Sequence, residues 1–249
     1  MRHPLSDDAR AALTSLHLLA QRIAWLVRRR MGRVDRELVR VYLERGGERK
    51  LHLGCGLHPL EGWLNSDLFP TERTILHLDV ARPFPFGDEL FDWIYSEHLI
   101  EHLPFTGGQR KLRECHRVLR SGGRIRIATP DLAFLLALYR DAPSDLERDY
   151  VRRATSLYYP SAAAPAAVFA INNFFRNWGH RFLYDEATLR DALARVGFVD
   201  IARVELNQSE HEAFRGLENE GRLPPGFLEL ETVVLEAVRA GAPALAAAD

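Results

Sequence analysis

The stretch Leu51-His52-Leu53-Gly54-Cys55-Gly56 decides the fold of this chain. A short apolar run of strand length ends there in a glycine turn, and glycines let a backbone approach a ligand closely. Further short apolar runs follow, with helical patterns between several of them. They lie at residues 63–67, 74–79, 91–96, 124–128, 201–206 and 232–238. Strands that alternate with helices predict an α/β fold with a parallel sheet covered by helices on both faces.

The chain divides around this pattern into three parts. We predict a helical N-terminal extension over residues 1–48, an α/β domain over 49–239 and a flexible Ala-rich tail over 240–249. Inside the domain, residues 131–184 interrupt the α/β rhythm with a helix and a cluster of aromatic side chains. An insertion of this length predicts a lid or a substrate-binding element. The rhythm then resumes with a helix that Asp185 is suited to cap.

Composition limits the class of protein. The chain has 249 residues, 47% of them apolar, and a net charge of −1, which favours a globular core over disorder. A near-neutral chain lacks the overall charge typical of nucleic-acid binding, so we expect no nucleic-acid partner. No apolar run reaches the length of a membrane-spanning helix. The two cysteines, Cys55 and Cys115, predict free thiols in a reducing cytoplasm.

The N-terminal helical pattern has two interpretations. Residues 7–33 combine apolar side chains with several arginines, a composition that suits the surface of an anionic membrane. The same pattern suits a helix that packs over the edge of the sheet or over a cofactor. We favour packing and keep peripheral membrane contact as the alternative.

The glycine turn does not fit two common nucleotide sites. A dinucleotide fingerprint needs a third glycine where Pro59 stands, and an acidic residue about 20 positions on. Asp67 follows Gly54 by only 67 − 54 = 13 positions, and no Gly-Lys-Ser/Thr of a Walker loop is present. A nucleoside ligand without a pyrophosphate remains, with Asp67 accepting from ribose hydroxyls and Asp79 from an adenine amino group. Taken singly, each aspartate is equally well interpreted as a turn or cap residue.

Several segments, in their order along the chain, resemble a known family. They are HLGCG, GWLNSDL, ILHLDVARPFPF, FDWIYSEHLIEHL, ECHRVLRSGGRIRIATPD and GFVDI with ETVVLEAVR. Over about residues 49–239 the chain resembles the class I S-adenosylmethionine-dependent methyltransferases, in particular their small-molecule type 11 group. The resemblance implies S-adenosylmethionine as cofactor and S-adenosylhomocysteine as product. It also implies a Rossmann-like mixed sheet of seven strands in the order 3-2-1-4-5-7-6, with strand seven antiparallel and helices on its flanks.

The resemblance further implies which residues hold the cofactor. They are Gly54, Cys55 and Gly56 beside the methionine part, Asp67 with Leu68 at the ribose, Asp79 with Val80 at the adenine, and Ser96 with Glu97 at the reactive end. One departure from the family pattern concerns the first helix of the domain. Only residues 57–62 separate the glycine turn from strand two, so we expect a very short helix and an open cofactor floor.

The segment Glu97-His98-Leu99-Ile100-Glu101-His102 carries the densest chemistry. On a helix, the HxxEH spacing puts His98 and His102 on one face, where they could hold zinc in a metal-dependent hydrolase. Some methyltransferases of small RNAs and quinone precursors carry ExxEH at this place and bind Mg²⁺. Here His98 replaces their first glutamate, and imidazole suits softer metals. A third interpretation is that Glu101 and His102 cap the next helix. Because these interpretations stay open, we assign no metal ligands from the sequence.

Methyl transfer to an alcohol, phenol or amide is helped by a general base, and histidine is the usual one. The candidates are His98, His102 and His180. We expect transfer to an oxygen (or nitrogen) of a small-molecule or glycan acceptor. The aromatic side chains of the insertion either stack on a sugar or aromatic ring or form its core. The alternative functions are a non-catalytic S-adenosylmethionine-binding or partner subunit and the metal-dependent hydrolase.

Overall fold

A computed structural model describes residues 32–140 and 142–241, with side chains described from Asp35 onward. The predicted helix before residue 32, the proposed membrane contact of that segment and most of the predicted tail lie outside the described residues. Within the described ranges, no helix is long and apolar enough to cross a membrane.

One seven-stranded sheet forms the centre of the described chain. Its strands are β1 (Lys50–Leu53), β2 (Leu64–Asp67), β3 (Leu76–His77), β4 (Phe91–Glu97), β5 (Leu119–Pro130), β6 (Phe198–Arg203) and β7 (Thr232–Arg239). The α-helices are α1 (Gly32–Glu44), α2 (Phe105–Val118), α3 (Leu132–Ala137), α4 (Asp145–Tyr158), α5 (Ala167–Arg176), α6 (Glu186–Ala194) and α7 (Phe227–Glu231). Short 3-10 turns lie at Ile100–His102, Glu212–Phe214 and Glu220–Arg222.

The strand order confirms the predicted topology. The strands lie in the order β3-β2-β1-β4-β5-β7-β6, and β1 to β5 pair in parallel. Strand β7 runs antiparallel to both β5 and β6. The carboxyl ends of the parallel strands therefore meet at one edge of the sheet, where ligands bind in open α/β folds.

Three strands differ from the sequence prediction by more than one residue at an end. Strand β3 covers only Leu76–His77, because the chain enters a turn at Asp79. Strand β5 begins at Leu119, so Gly122, with φ +76°, lies in the strand and does not cap α2. Strand β6 is Phe198–Arg203, because antiparallel pairing with β7 puts Phe198 opposite Arg239.

Helices cover the sheet with side chains of the predicted periodicity. Leu112 and Cys115 of α2 are fully buried in the main core. Helix α6 begins at the predicted cap, since the side chain of Asp185 accepts a hydrogen bond from Thr188 N at 2.7 Å. Helix α1 packs against the edge strand β3, and its Tyr42 hydroxyl donates to Lys50 O of β1 at 3.0 Å.

The insertion at residues 131–184 holds helices α3, α4 and α5 and builds a core of its own. Fully or nearly buried members of this second core include Leu135, Tyr150, Phe174 and Phe227. A bridge between Asp131 and Tyr184 joins the two ends of the insertion. The aromatic cluster therefore serves partly as core, while Trp178 and Phe175 stay about half exposed.

Candidate active site

Two neighbouring cavities lie at the carboxyl ends of the parallel strands. The smaller, of about 210 Å³, is lined by the glycine turn after β1 and by Glu97 at the end of β4. The larger, of about 440 Å³, lies between the 3-10 turn after β4 and helices α4, α5 and α7. His98 and Arg222 line both. These two side chains therefore lie at the boundary between the two cavities.

The glycine turn has a backbone that other residues rarely adopt. Gly54 has φ +70° and Gly56 has φ +53°. A Cβ atom on Gly54 would lie 2.9 Å from Leu99 Cδ1, which is closer than carbon atoms approach without displacement. Cys55 N donates to Ser66 O at 2.9 Å and holds the turn against β2. Gly54, Cys55 and Gly56 all line the smaller cavity, and their role in holding a cofactor stays a prediction.

Asp67 lies at the end of β2 beside this turn. Its Oδ2 accepts from Gly56 N at 3.0 Å and its Oδ1 accepts from Phe69 N at 2.7 Å. An ionised carboxylate offers about four acceptor positions, so two remain for a ligand's hydroxyl groups. The side chain is part-exposed, as is that of Leu68. The carboxylate thus shapes the turn and keeps capacity for a ribose.

Asp79 makes the contacts of a turn residue. Its Oδ1 accepts from Ala81 N at 3.0 Å, and its Oδ2 accepts from Arg82 Nε at 3.1 Å. Val80 is buried in the main core. Neither residue lines the smaller cavity, so their role at the adenine stays a prediction. Asp67 and Leu68 do not line that cavity either, so their role at the ribose also stays a prediction.

Ser96 and Glu97, at the end of β4, differ in what they face. Ser96 is buried and its Oγ accepts from Lys111 Nζ at 2.8 Å, so it connects the end of β4 to helix α2. Glu97 lines the smaller cavity, and its Oε2 accepts from Asn219 N at 3.3 Å. Its Oε1 is buried without a hydrogen-bond partner. Burial raises the pKa of Glu97, an effect that the nearby Arg222 guanidinium opposes.

The segment between β6 and β7 supplies site residues that the sequence analysis missed. Leu217, Asn219 and Arg222 all line the smaller cavity. Asn219 contacts both sides of it, because its backbone N donates to Glu97 and its Nδ2 lies 2.6 Å from His58 Nε2. This segment therefore closes the cavity opposite the glycine turn.

A buried cluster of charges holds this segment against the sheet. Arg126 of β5 is fully buried, with Nε 2.7 Å from Glu218 Oε1 and Nη1 2.5 Å from Glu236 Oε1. It also donates to the backbone carbonyls of Glu205 and Gln208. A signal for this cluster exists in the sequence, since Arg126 lies between Ile125 and Ile127, and Glu236 lies between Leu235 and Ala237. Their partner Glu218 lies in an irregular segment that carries no such signal.

Glu101 forms part of the floor of the larger cavity. It is fully buried, and its Oε2 accepts from Thr129 Oγ1 at 3.0 Å. Its Oε1 has no hydrogen-bond partner. Burial raises the pKa of Glu101 to about 7. Its side chain caps no helix, because α2 follows Pro104 without a side-chain cap, so the capping interpretation is wrong.

His98 lies at the junction of the two cavities. Its backbone has φ +44° and it precedes the 3-10 turn, so His98 and His102 do not share a helix face as the hydrolase interpretation requires. His98 Nε2 lies 3.2 Å from Thr232 Oγ1, and Nδ1 lies 3.5 Å from Glu101 Oε1. Burial and the neighbouring Arg222 hold the pKa of His98 well below its usual range. The ring is neutral at pH 7.

His102 and His180 come together although 78 residues separate them in the chain. Their ring centroids lie 5.0 Å apart in an edge-to-face arrangement. His180 Nδ1 lies 2.8 Å from Phe174 O, which requires that this nitrogen carry the proton. Burial and the nearby His102 lower the pKa of His180 to about 4, and burial also lowers that of His102. All three predicted histidines therefore line the larger cavity as neutral rings.

The opposite wall of the larger cavity combines aromatic and charged groups. Tyr158, Phe174 and Trp178 contribute rings, and Trp178 packs edge-on against both of the others. Behind them the Tyr150 hydroxyl donates to Glu231 Oε2 at 2.6 Å. Burial raises the pKa of Glu231 to about 7.

Replacing Glu231 by glutamine is expected to stabilise the protein at pH 8 but not at pH 4.5. The folded state holds a proton on Glu231 up to about pH 7, whereas an unfolded chain releases it near 4.5. The contribution of this proton to the free energy of unfolding is fully present below pH 4.5. It is lost as pH rises through 7, which lowers the free energy of unfolding by up to about 3 kcal/mol. Urea denaturation of both proteins at the two pH values measures it. The exposed Glu229→Gln is the matched control, and an equal effect of Glu231→Gln at both pH values would contradict the prediction.

Comparison with known proteins gives a family for the central segment. Residues 61–127 match the sequence model of a family described as a methyltransferase domain. No curated protein matched the chain. Solved structures of similar fold include an S-adenosylmethionine-dependent methyltransferase from Mesorhizobium loti, 18% identical, with 84% of this chain and 99% of that chain covered and a TM-score of 0.48. Another, from Archaeoglobus fulgidus, is 18% identical, with 82% and 94% covered and a TM-score of 0.45.

Residues 61–127 match a methyltransferase domain family, and the strand order is the one that the resemblance to class I S-adenosylmethionine-dependent methyltransferases implied. Together these findings support an S-adenosylmethionine-dependent methyltransferase enzyme. S-adenosylmethionine is its cofactor. The residues present fit that cofactor, because Gly54, Cys55 and Gly56 line the cavity and Glu97 Oε1, which lies 3.7 Å from Arg222 Nη2, has no hydrogen-bond partner there. A turn of exposed backbone beside a carboxylate suits a ligand with an amino group and hydroxyl groups.

Proposed function

We propose that this protein transfers a methyl group to an oxygen (or nitrogen) of a small-molecule or glycan acceptor bound in the larger cavity. One observation carries the proposal: the two cavities meet at His98 and Arg222. An acceptor in the larger cavity would face the reactive end of a cofactor held by the glycine turn and Glu97. Such an arrangement supports in-line transfer between the two.

The sulfonium of S-adenosylmethionine supplies a methyl group that is already activated. The chain then contributes mainly orientation and exclusion of water. Gly54, Gly56 and Asp67 would hold the donor side, and the segment that carries Asn219 would cover it.

His98 is the residue we propose as general base. It lines both cavities, and a neutral imidazole is the form that accepts a proton. Glu101 Oε1 lies 3.5 Å from its Nδ1 and orients the ring. His102 and His180, the other two predicted bases, line the acceptor cavity but not the donor cavity.

The walls of the larger cavity support a ring-shaped acceptor. Tyr158, Phe174 and Trp178 present aromatic surface, which suits the apolar face of a sugar or an aromatic ring. Arg153 and Arg222 add charged groups and Glu231 adds a carboxyl group, which would orient hydroxyl or carboxyl substituents. A reducing compartment, the cytoplasm, fits Cys55 and Cys115, which are both free and buried.

A His98→Asn variant is expected to bind S-adenosylmethionine like the wild type and to lose about 10²–10⁴-fold in methyl transfer. Asparagine is uncharged and polar but cannot take the proton. Calorimetry measures cofactor binding, and a labelled methyl group followed into fractionated cell extract identifies the acceptor and the rate.

His116→Asn is the matched control, because His116 packs against Phe198 outside both cavities. Full transfer by His98→Asn would remove His98 as the base. Cofactor binding by the wild type with no transfer to any fraction would support a non-catalytic binding subunit instead.

A further inference from the structure

We propose that Glu101, His102 and His180 bind one divalent transition-metal ion at the floor of the larger cavity. Each side chain offers one ligand atom, and these three atoms all lie within 4.8 Å of one another. From this spacing, small side-chain rotations bring nitrogen and oxygen ligands to the distance of about 2.0–2.2 Å that such ions require. The sequence pattern paired His98 with His102, whereas the structure brings His180 to the site in its place.

The buried carboxylate supplies an observation independent of the spacing. Glu101 is fully buried, and only its Oε2 is hydrogen-bonded, by Thr129. Its Oε1 has no partner and lies 4.0 Å from His102 Nε2. A buried polar atom without a partner is costly, and a cation between Oε1 and the two imidazoles satisfies it.

The outer contacts of the three ligands also suit an ion. A metal-binding histidine usually donates its other ring N–H to a carbonyl or carboxylate, and His180 Nδ1 does this to Phe174 O. Its Nε2 lone pair is left for an ion. Thr129 Oγ1 donates a hydrogen bond to Glu101 Oε2 and so fixes the carboxylate. His98, which contacts Glu101 and Thr232, is a positioning residue for this site and not a ligand.

The donor set selects the kind of ion. Two imidazoles and one carboxylate suit Zn²⁺, Co²⁺, Fe²⁺ or Mn²⁺, whereas Mg²⁺ prefers a site made of oxygen ligands. Three protein ligands would leave coordination positions open on the ion, and all three ligands line the larger cavity. The ion would be bound within the cavity that we assign to the acceptor.

The site also specifies the acceptor class, a step that rests on the proposed function. Open positions on a divalent ion bind paired oxygens such as a vicinal diol, a catechol or a hydroxy acid. Binding to the ion would lower the pKa of the acceptor hydroxyl and direct its oxygen toward the cavity that holds the donor. We therefore expect acceptors with two adjacent oxygens to be methylated faster than their mono-hydroxy analogues.

Metal titration of the full, untagged chain tests the site. After chelator treatment and desalting, Co²⁺ is added and its visible absorption is followed, with Zn²⁺, Mn²⁺ and Mg²⁺ as competitors. We expect about one equivalent bound, displacement by Zn²⁺ but not by Mg²⁺, and at least about 100-fold weaker binding in Glu101→Gln and in His180→Asn. His116→Asn serves as the matched control and should bind like the wild type.

The possible outcomes separate this site from the proposed function. S-adenosylmethionine binding by calorimetry shows that each variant is folded. No Co²⁺ bound by a wild type that binds the cofactor, or equal Co²⁺ affinity in both ligand variants, overturns the site. Stoichiometric metal without methyl transfer to any diol acceptor leaves the site standing and counts against the function. Unchanged methyl transfer by the metal-free protein counts against the metal site and leaves the proposed function standing.

Discussion

An Arg126→Met variant is expected to lose about 3–5 kcal/mol of unfolding free energy. Arg126 is fully buried and contacts the carboxylates of Glu218 and Glu236 as well as two backbone carbonyls. Methionine fills a similar volume but leaves both carboxylates buried without a counter-charge. Urea denaturation followed by circular dichroism measures the loss.

Two further variants separate loss of charge from loss of packing. Arg195→Met removes an exposed ion pair with Asp191 on α6 and should cost less than about 1 kcal/mol. Adding Glu218→Gln and Glu236→Gln to Arg126→Met should recover part of the loss, because the unpaired charges are then gone. A loss below about 1 kcal/mol in Arg126→Met itself would show that the cluster does not hold the fold.

The Arg126→Met variant should also weaken cofactor binding. The cluster fixes the segment that carries Leu217, Asn219 and Arg222 over the smaller cavity. Once Glu218 is no longer held, this segment loses its connection to β5. A variant that remains folded at low temperature but binds S-adenosylmethionine at least about tenfold more weakly would connect the cluster to the site.

An Asp67→Asn variant is expected to bind S-adenosylmethionine and S-adenosylhomocysteine about 10–100-fold more weakly than the wild type. Hydrogen bonds to a charged group contribute about 1.5–3 kcal/mol each, and the variant keeps one acceptor oxygen of two. That one oxygen cannot accept hydrogen bonds from Gly56 N, from Phe69 N and from a ribose hydroxyl at the same time. Calorimetric titration with each ligand measures the change.

Asp88→Asn is the matched control, because Asp88 pairs with Arg117 at an exposed position outside both cavities. It should leave affinity unchanged. Asp79→Asn, measured in parallel, tests the adenine assignment, since Asp79 already accepts from Ala81 N and from Arg82. Affinity of Asp67→Asn within about threefold of the wild type would mean that this carboxylate does not hold the ribose.

The fold was predictable because its signals are local. Apolar runs of strand length, the glycine turn at Gly54 and Gly56 and the cap at Asp185 each depend on neighbouring residues. Strand boundaries were predicted less well. Strand β6 is shifted because its register depends on β7, some 30 residues on in the chain.

By itself the sequence determined the α/β class, the strand order through its resemblance, and which strand ends carry chemistry. Only the tertiary structure decided which distant residues meet. It put His180 beside Glu101 and His102, and it placed Asn219 and Arg222 over the cavity of the glycine turn. Periodicity and turn chemistry act between neighbours in the chain, so they can be read from one segment. A meeting between residues about 80–170 positions apart depends on how the insertion and the β6–β7 segment pack on the sheet, and no single segment encodes that.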